Sequence, residues 1–391
     1  MRRLGIAVLA TVMVLMVVGP AGAAAGGSGP DPVRFSTFNA SLNRFSQGDL
    51  RAELEAAVAG APTSQLSAVL EIIAINDPDV LLINEFDYDP EAGALFAMLA
   101  GYGYHFIAPS NTGVPSGADL DNSGSVGGPN DAFGFGFFPG QFGMLVLSKY
   151  PIGDVRTFQN FLWKDMPGAL LPELDGVSWY SDEELDIVRL SSKSHWDVSI
   201  EIGRKVVHFL VSHPTPPVFD GPEDRNGTRN SDEIRFWADY IIPSQSGYIY
   251  DDAGTTGGLT PGAFFVIAGD QNSDPLDGDS IPGSAQQLLD HPRVNAKVTP
   301  SSEGAVEASA LQGGANDAHL SDPAFDTADF SDSAPGNLRA DYVLPSKALR
   351  ITDAAVFWPV QADPLFDLVG VFPFPSSDHR LVWVDVNVPG R

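Results

Sequence analysis

The sequence predicts an α/β protein of the α+β kind, with two mixed sheets packed together and helices outside. Three observations carry this. Apolar runs rich in Val, Ile, Phe and Trp outnumber the helix-like stretches. Several of these runs follow one another with no helix between them, which suits a doubly wound parallel sheet poorly. Of the 391 residues 43% are hydrophobic, ample for one large core or two modest ones.

Taken in order, VRFSTFNA (33–40) and VLLINEF (80–86) are strands, each an apolar run closed by polar residues. Between them DLRAELEAAVAG (49–60) is a helix of good formers ending on Gly60, and SQLSAVLEIIAINDP (64–78) shows apolar residues at helical spacing. PEAGALFAMLAGYGY (90–104) is a shorter helix. GMLVLSKYPI (143–152), WDVSIEI (196–202) and KVVHFLVSHP (205–214) are strands. NSDEIRFWADYIIP (230–243) opens on cap-type residues and stops at Pro243, so it is a helix. AFFVIAGD (263–270), RADYVLPS (339–346) and HRLVWVDVNV (379–388) complete the strands. Long Gly/Pro/Asp-rich loops fill roughly 108–142, 246–262 and 273–337, the last broken only by AQQLLDHP. There is no internal repeat and no composition break, so residues 26–391 read as one domain.

The first 25 residues stand apart. Arg2 and Arg3, the run LGIAVLATVMVLMVVGP and the tail AGAAAGG have the pattern of a cleaved secretory signal, with an uncleaved anchor as the rival reading. Cleavage near Ala23 to Gly27 would leave a soluble protein outside the cytoplasm, secreted or periplasmic. There are no cysteines, which excludes thiolate catalysis, thiolate zinc sites and iron–sulfur clusters. The formal charge is −28, from 22 Lys and Arg against 50 Asp and Glu, and it becomes −30 without Arg2 and Arg3. Such a surface repels polyanions, so stable binding to duplex DNA is not expected.

Polar residues mark the strand ends: Asn39, Glu85, His213, the pair Asp270/Asn272 and the pair Asp378/His379, with Asp341 inside a further strand. Any one of these alone is a turn former. Together they offer hard oxygen ligands suited to Mg²⁺, Mn²⁺ or Ca²⁺, and imidazoles for acid–base work or charge stabilisation at phosphate.

FSTFNAS, DVLLINEFD, FLVSHPTPP, VIAGDQNSD, RADYVLPS and SSDHRLVWVDV resemble, in order, the motif set of the endonuclease/exonuclease/phosphatase (DNase I-like) superfamily. The resemblance covers about 33–388 and points to an exported, bacterial-type member. It implies a four-layer sandwich with the site at one edge. It implies that Asn39 and Glu85 hold a divalent metal with Asp378 nearby, and that Asp270 and Asn272 orient the attacking water and bind phosphate. His379 would be the catalytic imidazole, paired with Asp341, and His213 would stabilise the pentacovalent phosphate or protonate the leaving group. His379 and Asp270 both stand as candidates for the base.

Arg225, Asn226, Arg229 and Asn230 cluster just before the 230–243 helix, and Arg225, Asn226 and Arg229 are expected to contact substrate phosphate. The aromatic run NDAFGFGFFPGQFG reads as a loop packed on the core or as a pocket wall. DLDNSG (119–124) matches the opening of a calcium loop, but Asn130 stands where a bidentate Glu is required; a looser calcium site on Asp119 and Asp121 is the reading kept. Asp274, Asp277 and Asp279 are turn formers or a similar site. The function expected is an exported, metal-dependent phosphoesterase acting as a monomer on small or lipid-linked phosphate esters. The alternatives are an extracellular nuclease and a non-enzymatic calcium-binding domain.

Overall fold

The computed structural model describes residues 31–391, and the expected leader lies outside these described residues. In chain order the elements are β1 (Val33–Asn39), α1 (Asp49–Val58), α2 (Ser64–Asn76), β2 (Val80–Asn84), α3 (Pro90–Leu99), β3 (Tyr104–Phe106), β4 (Met144–Ser148) and β5 (Ile152–Thr157). There follow β6 (Glu173–Leu174), β7 (Val177–Ser178), α4 (Asp182–Leu185), β8 (His195–Ile202), β9 (Lys205–Ser212), α5 (Arg225–Tyr240) and β10 (Phe264–Asp270). The chain continues through α6 (Gln286–Leu289), α7 (Glu303–Gln312), β11 (Ala328–Asp329), β12 (Asn337–Leu338), β13 (Asp341–Pro345), β14 (Arg350–Val356) and β15 (Val382–Asn387).

Two mixed sheets form, in the orders β14-β15-β1-β2-β4-β3 and β13-β10-β9-β8-β5, beside the small hairpins β6-β7 and β11-β12. Each large sheet has a parallel pair near its centre, β1 with β2 and β9 with β10, flanked by antiparallel partners. The strand period of two sorts the side chains into layers. Phe209, Val211, Val266, Ala268 and Val343 face the first sheet and join one core with Phe35, Leu82, Val146 and Val384. Phe35 meets Phe209 across this interface with ring centroids 5.6 Å apart. The alternate residues Leu210, Phe265, Ile267, Tyr342 and Leu344 join a second core with Ile234, Phe236, Trp237 and Tyr240 of α5. Helices α1 to α3 pack Leu54, Val69, Ile72 and Phe96 into the first core. The result is the expected sandwich of α/β, with helices outside two face-to-face sheets, and each fully buried large apolar side chain contributes about 1.5–3 kcal/mol.

Three sequence expectations needed correction. Residues 143–152 are two strands, because Ser148 and Tyr150 close a turn at Lys149–Pro151 (Ser148 Oγ to Tyr150 O, 2.8 Å) and the chain there leaves one sheet for the other. Helix α5 starts at Arg225, five residues earlier than its apolar pattern shows, because its first turns are held by polar contacts. The loop at 273–337 contains α7, capped by the Ser302 hydroxyl accepting from Ala305 N at 3.2 Å.

Parallelism decides where the polar strand ends meet. β1, β2, β9 and β10 all finish at one edge of the sandwich, and the antiparallel β13 and β15 start there. Asp270, last in β10, stands in register with Asp341, first in β13.

Candidate active site

Asn39 ends β1 on the first sheet, and its amide Nδ2 donates to Asp270 Oδ2 of the second sheet at 3.0 Å. The same amide donates to Glu85 Oε1 at 3.2 Å, and Asn43 donates to Glu85 Oε2 at 2.7 Å. Glu85 follows β2 with φ of 58°, a left-handed conformation that turns its carboxylate toward the seam. The strand can approach closely at Gly269: a Cβ there would lie 2.0 Å from the Ser212 carbonyl oxygen, and its φ is 146°. Only glycine permits this contact between β9 and β10, just before Asp270.

Two histidines flank Asp270, with Oδ2 lying 3.4 Å from His213 Nε2 and 3.6 Å from His379 Nε2. His379 Nδ1 donates to Asp341 Oδ2 at 2.8 Å, and the Thr327 hydroxyl donates to the same oxygen at 2.8 Å. Asp341 Oδ1 has no partner among the described residues. The Phe330 ring stands edge-on to the His379 imidazole, centroids 5.3 Å apart. Asp378 accepts from the Ser41 and Ser377 hydroxyls, both at 3.4 Å. Arg380 stiffens this turn, paired with Asp329 at 3.0 Å and lying over the rings of Trp358 and Phe374.

The electrostatics separate the two imidazoles. Burial pushes the His213 imidazolium down, and the cations of Lys193 and His379 push it further, so His213 is neutral. Burial also opposes charge on His379, but Asp341 and Asp270 outweigh it and raise its pKa well above the usual value. Burial raises Asp270 to about 7, with His379 opposing and Asp341 adding to the rise. Burial raises Glu85 as well; His379 opposes this and the nearby Asp378 charge reinforces it.

This excess of acid is the test of whether a divalent metal suits the site. The Glu85 carboxylate forms no ion pair among the described residues and accepts only side-chain amides. With Asp378 close enough to perturb it, the donor set is hard oxygen with no paired cation, which fits Mg²⁺, Mn²⁺ or Ca²⁺. Asp270, Asp341 and His379 also offer ligand atoms within 4.8 Å of one another, but His379 Nδ1 is already engaged by Asp341.

Asn272 has φ of 50°; its backbone N–H donates to Asp270 Oδ1 at 2.9 Å and its amide donates to the Pro214 carbonyl at 3.1 Å. It thereby aims Asp270 and ties β10 to the loop after His213. The arginine cluster is arranged otherwise than expected. Arg229 donates to the carbonyls of Leu190, Arg189 and Phe133, Arg225 pairs with Glu223, and Asn226 donates to Val218 O at 2.7 Å. These side chains hold the protein's own loops together.

Asp119 and Asp121 do come together, with Asp131 as a third carboxylate within 4.8 Å. Asp119 accepts from the N–H groups of Ser123 and Gly124, and Asp131 from those of Leu120 and Gly127. Asp274 and Asp277 act as loop staples, accepting from the N–H groups of Arg339 and Leu320.

Three residues of the site escaped the sequence reading. Lys193 is buried, which lowers its pKa, and the nearby charges of Glu233, Asp270 and Glu85 only partly oppose this. Asn84 Oδ1 accepts from Asp270 N at 3.3 Å, and its Nδ2 donates to Ser212 O at 3.4 Å, bridging the sheets. Thr327 is the third member of the Asp341–His379 group.

A family model described as "Endonuclease/Exonuclease/phosphatase family" matches residues 37–379. Among curated proteins nothing matches the chain. Among solved structures, the endonuclease/exonuclease/phosphatase from Beutenbergia cavernae superposes with a TM-score of 0.52 at 16% identity, covering 92% of this chain and 72% of its own. The endonuclease/exonuclease/phosphatase family protein from Leptotrichia buccalis gives 0.47 at 13% identity, covering 91% and 100%. Sphingomyelinase C from Streptomyces griseocarneus gives 0.43 at 14% identity, covering 92% and 100%. The first of these shares the fold of this chain.

Proposed function

The chain belongs to the endonuclease/exonuclease/phosphatase family, and from that premise we propose that it hydrolyses small or lipid-linked phosphate esters with a divalent cation at Glu85, Asp378 and Asn39. The observation that carries this is the meeting of Asn39 and Asp270 across the two sheets, between a neutral His213 and a charged His379. The cation, when bound, supplies Lewis-acid polarisation of the phosphoryl oxygens.

The remaining chemistry belongs to side chains. Asp270, aimed by Asn39 and the Asn272 N–H, takes a proton from the attacking water, the role its elevated pKa suits. The water oxygen bonds to phosphorus as the ester P–O bond breaks, and the leaving oxygen departs with the bonding pair and takes its proton from solvent water. The His379 imidazolium, oriented by Asp341, offsets charge building on the phosphoryl oxygens. Lys193 lies buried near Asp270 and Glu85 and completes the charged surroundings of the seam. His213, uncharged, serves as a hydrogen-bond donor and not as the acid.

The net charge of −28 supports small or lipid-linked esters over duplex nucleic acid. The pattern of residues 1–25 supports export, with 26–391 as the catalytic domain; N-terminal sequencing of secreted material tests this. The activity is tested with bis-p-nitrophenyl phosphate and p-nitrophenyl phosphate under Mg²⁺, Mn²⁺ and Ca²⁺ in turn. Hydrolysis of one ester that vanishes in His379→Ala is expected. No hydrolysis of either ester with any of the metals refutes the reading.

A further inference from the structure

We infer that an open recess beside the carboxylates takes an uncharged, ring-bearing group of the phosphate ester, an assignment that rests on the phosphoesterase reading above. The recess has a volume of about 400 Å³ and is lined by Ser41, Asn43, Phe45, Phe137 and Phe142, among others. Two of its lining residues touch the site carboxylates. Asn43 is the residue that donates to Glu85, and Ser41 is the one that donates to Asp378. The recess therefore adjoins the place where a phosphate held at those carboxylates would put an ester arm.

The chemistry of the walls selects the arm. The cation of the recess, Arg44, is bound on two sides by Glu53 at 2.7 and 2.8 Å. Its other donors serve the Asn43 carbonyl at 2.7 Å and Gln65 Oε1 at 3.1 Å. Gln65 in turn donates to the Ser41 and Ser376 carbonyls, both at 2.9 Å. Gln141 spans the Arg44 carbonyl and the Phe137 N–H. Each charge is thus compensated and each amide occupied, so a second phosphate entering here finds no free cation.

What remains on offer is phenyl surface. Phe45 is 97% exposed and Phe137 67% exposed, a large apolar area left in water beside a polar centre. Phe137 is braced edge-on by Phe135, centroids 5.5 Å apart, and Phe142 is fixed by its N–H donating to Asp87 at 3.1 Å. Phenyl faces favour a planar ring over a flexible chain, because the ring adds quadrupole-matched stacking to simple burial. The aromatic run at 130–143 is therefore a pocket wall as well as a packed loop.

The test uses 2-naphthylphosphonate, methylphosphonate and octylphosphonate, none of which is hydrolysed, titrated in Mg²⁺ buffer by ligand fluorescence or NMR. The naphthyl compound is expected to bind most tightly. The naphthyl-to-methyl affinity ratio should fall about fivefold in Phe45→Ala or Phe137→Ala. It should hold in Val177→Ala, an equally exposed apolar position outside the recess. An unchanged ratio in both phenylalanine variants overturns the assignment, as does tighter binding of the octyl compound. Both positions are exposed, so the variants should fold, and circular dichroism checks this. Binding is read without turnover, so failure of the recess and failure of the phosphoesterase reading remain distinguishable.

Discussion

Replacing Asp341 with asparagine isolates the charge that sustains the His379 imidazolium. The side chain is buried, and its Oδ2 accepts from both His379 Nδ1 and Thr327 Oγ1 at 2.8 Å. An amide oxygen in that position keeps both hydrogen bonds. The amide nitrogen then replaces Oδ1, which has no partner, so the substitution alters charge and little else within the group. A hydrogen bond to a charged partner contributes about 1.5–3 kcal/mol, roughly twice a neutral one. If the imidazolium is needed as phosphoryl charge builds, losing the difference between a charged and a neutral bond, about 1.5 kcal/mol, lowers kcat by about tenfold. KM should move less than about threefold, since the ground state gains little from that charge. The unpaired amide should also cost about 1–3 kcal/mol of stability. Steady-state hydrolysis of bis-p-nitrophenyl phosphate, with circular dichroism on the same samples, measures both. A folded Asp341→Asn variant with kcat within about threefold of the parent refutes the pairing argument.

Three further outcomes follow from buried groups. His195 is held neutral, its Nε2 donating to Glu233 O at 2.9 Å, and burial lowers its pKa to about 4. The unfolded chain takes up that proton near pH 6.5, so stability contributed here is complete above pH 6.5 and falls by about 3 kcal/mol toward pH 4. Urea unfolding against pH should show this slope, and His195→Gln should flatten it. Gly269→Ala sets a Cβ 2.0 Å from the Ser212 carbonyl, so it should destabilise by about 3 kcal/mol or more in thermal melts and displace Asp270. Glu85→Gln should weaken Mn²⁺ binding by at least about tenfold in calorimetric titration, because a hard cation loses an anionic ligand; unchanged affinity would place the metal elsewhere.

The site was legible in the sequence where strand pattern and chemistry coincide. Asn39, Glu85, His213, Asp270 and His379 each interrupt or follow an apolar run, and parallel pairing then gathers four of those runs' ends at one edge. Lys193 gave no such signal, since it is a lone lysine among serines, and the Glu233 charge that acts on it belongs to a helix forty residues on. Asn84 ends an apolar strand beside Glu85 with no pattern to single it out, though it bridges both sheets. Thr327 sits in a long loop with no period to read. The Arg225–Arg229 cluster was visible, but the direction of Arg229 is set by carbonyls of residues 133, 189 and 190 that only folding brings near.

The strand order has a consequence for when this protein becomes competent. β1 lies between β2 and β15, and β15 joins it only from residues 382–387, about 350 positions later in the chain. His379 travels with that last strand. The whole second sheet, with Asp270, His213 and Asp341, is synthesised and available to fold before the imidazolium is delivered. Closing so long a loop is slow compared with local pairing. Recovery of catalysis during refolding is thus a direct clock for the docking of the final strand, and intermediates short of that step are inert toward phosphate esters however native the rest of their structure.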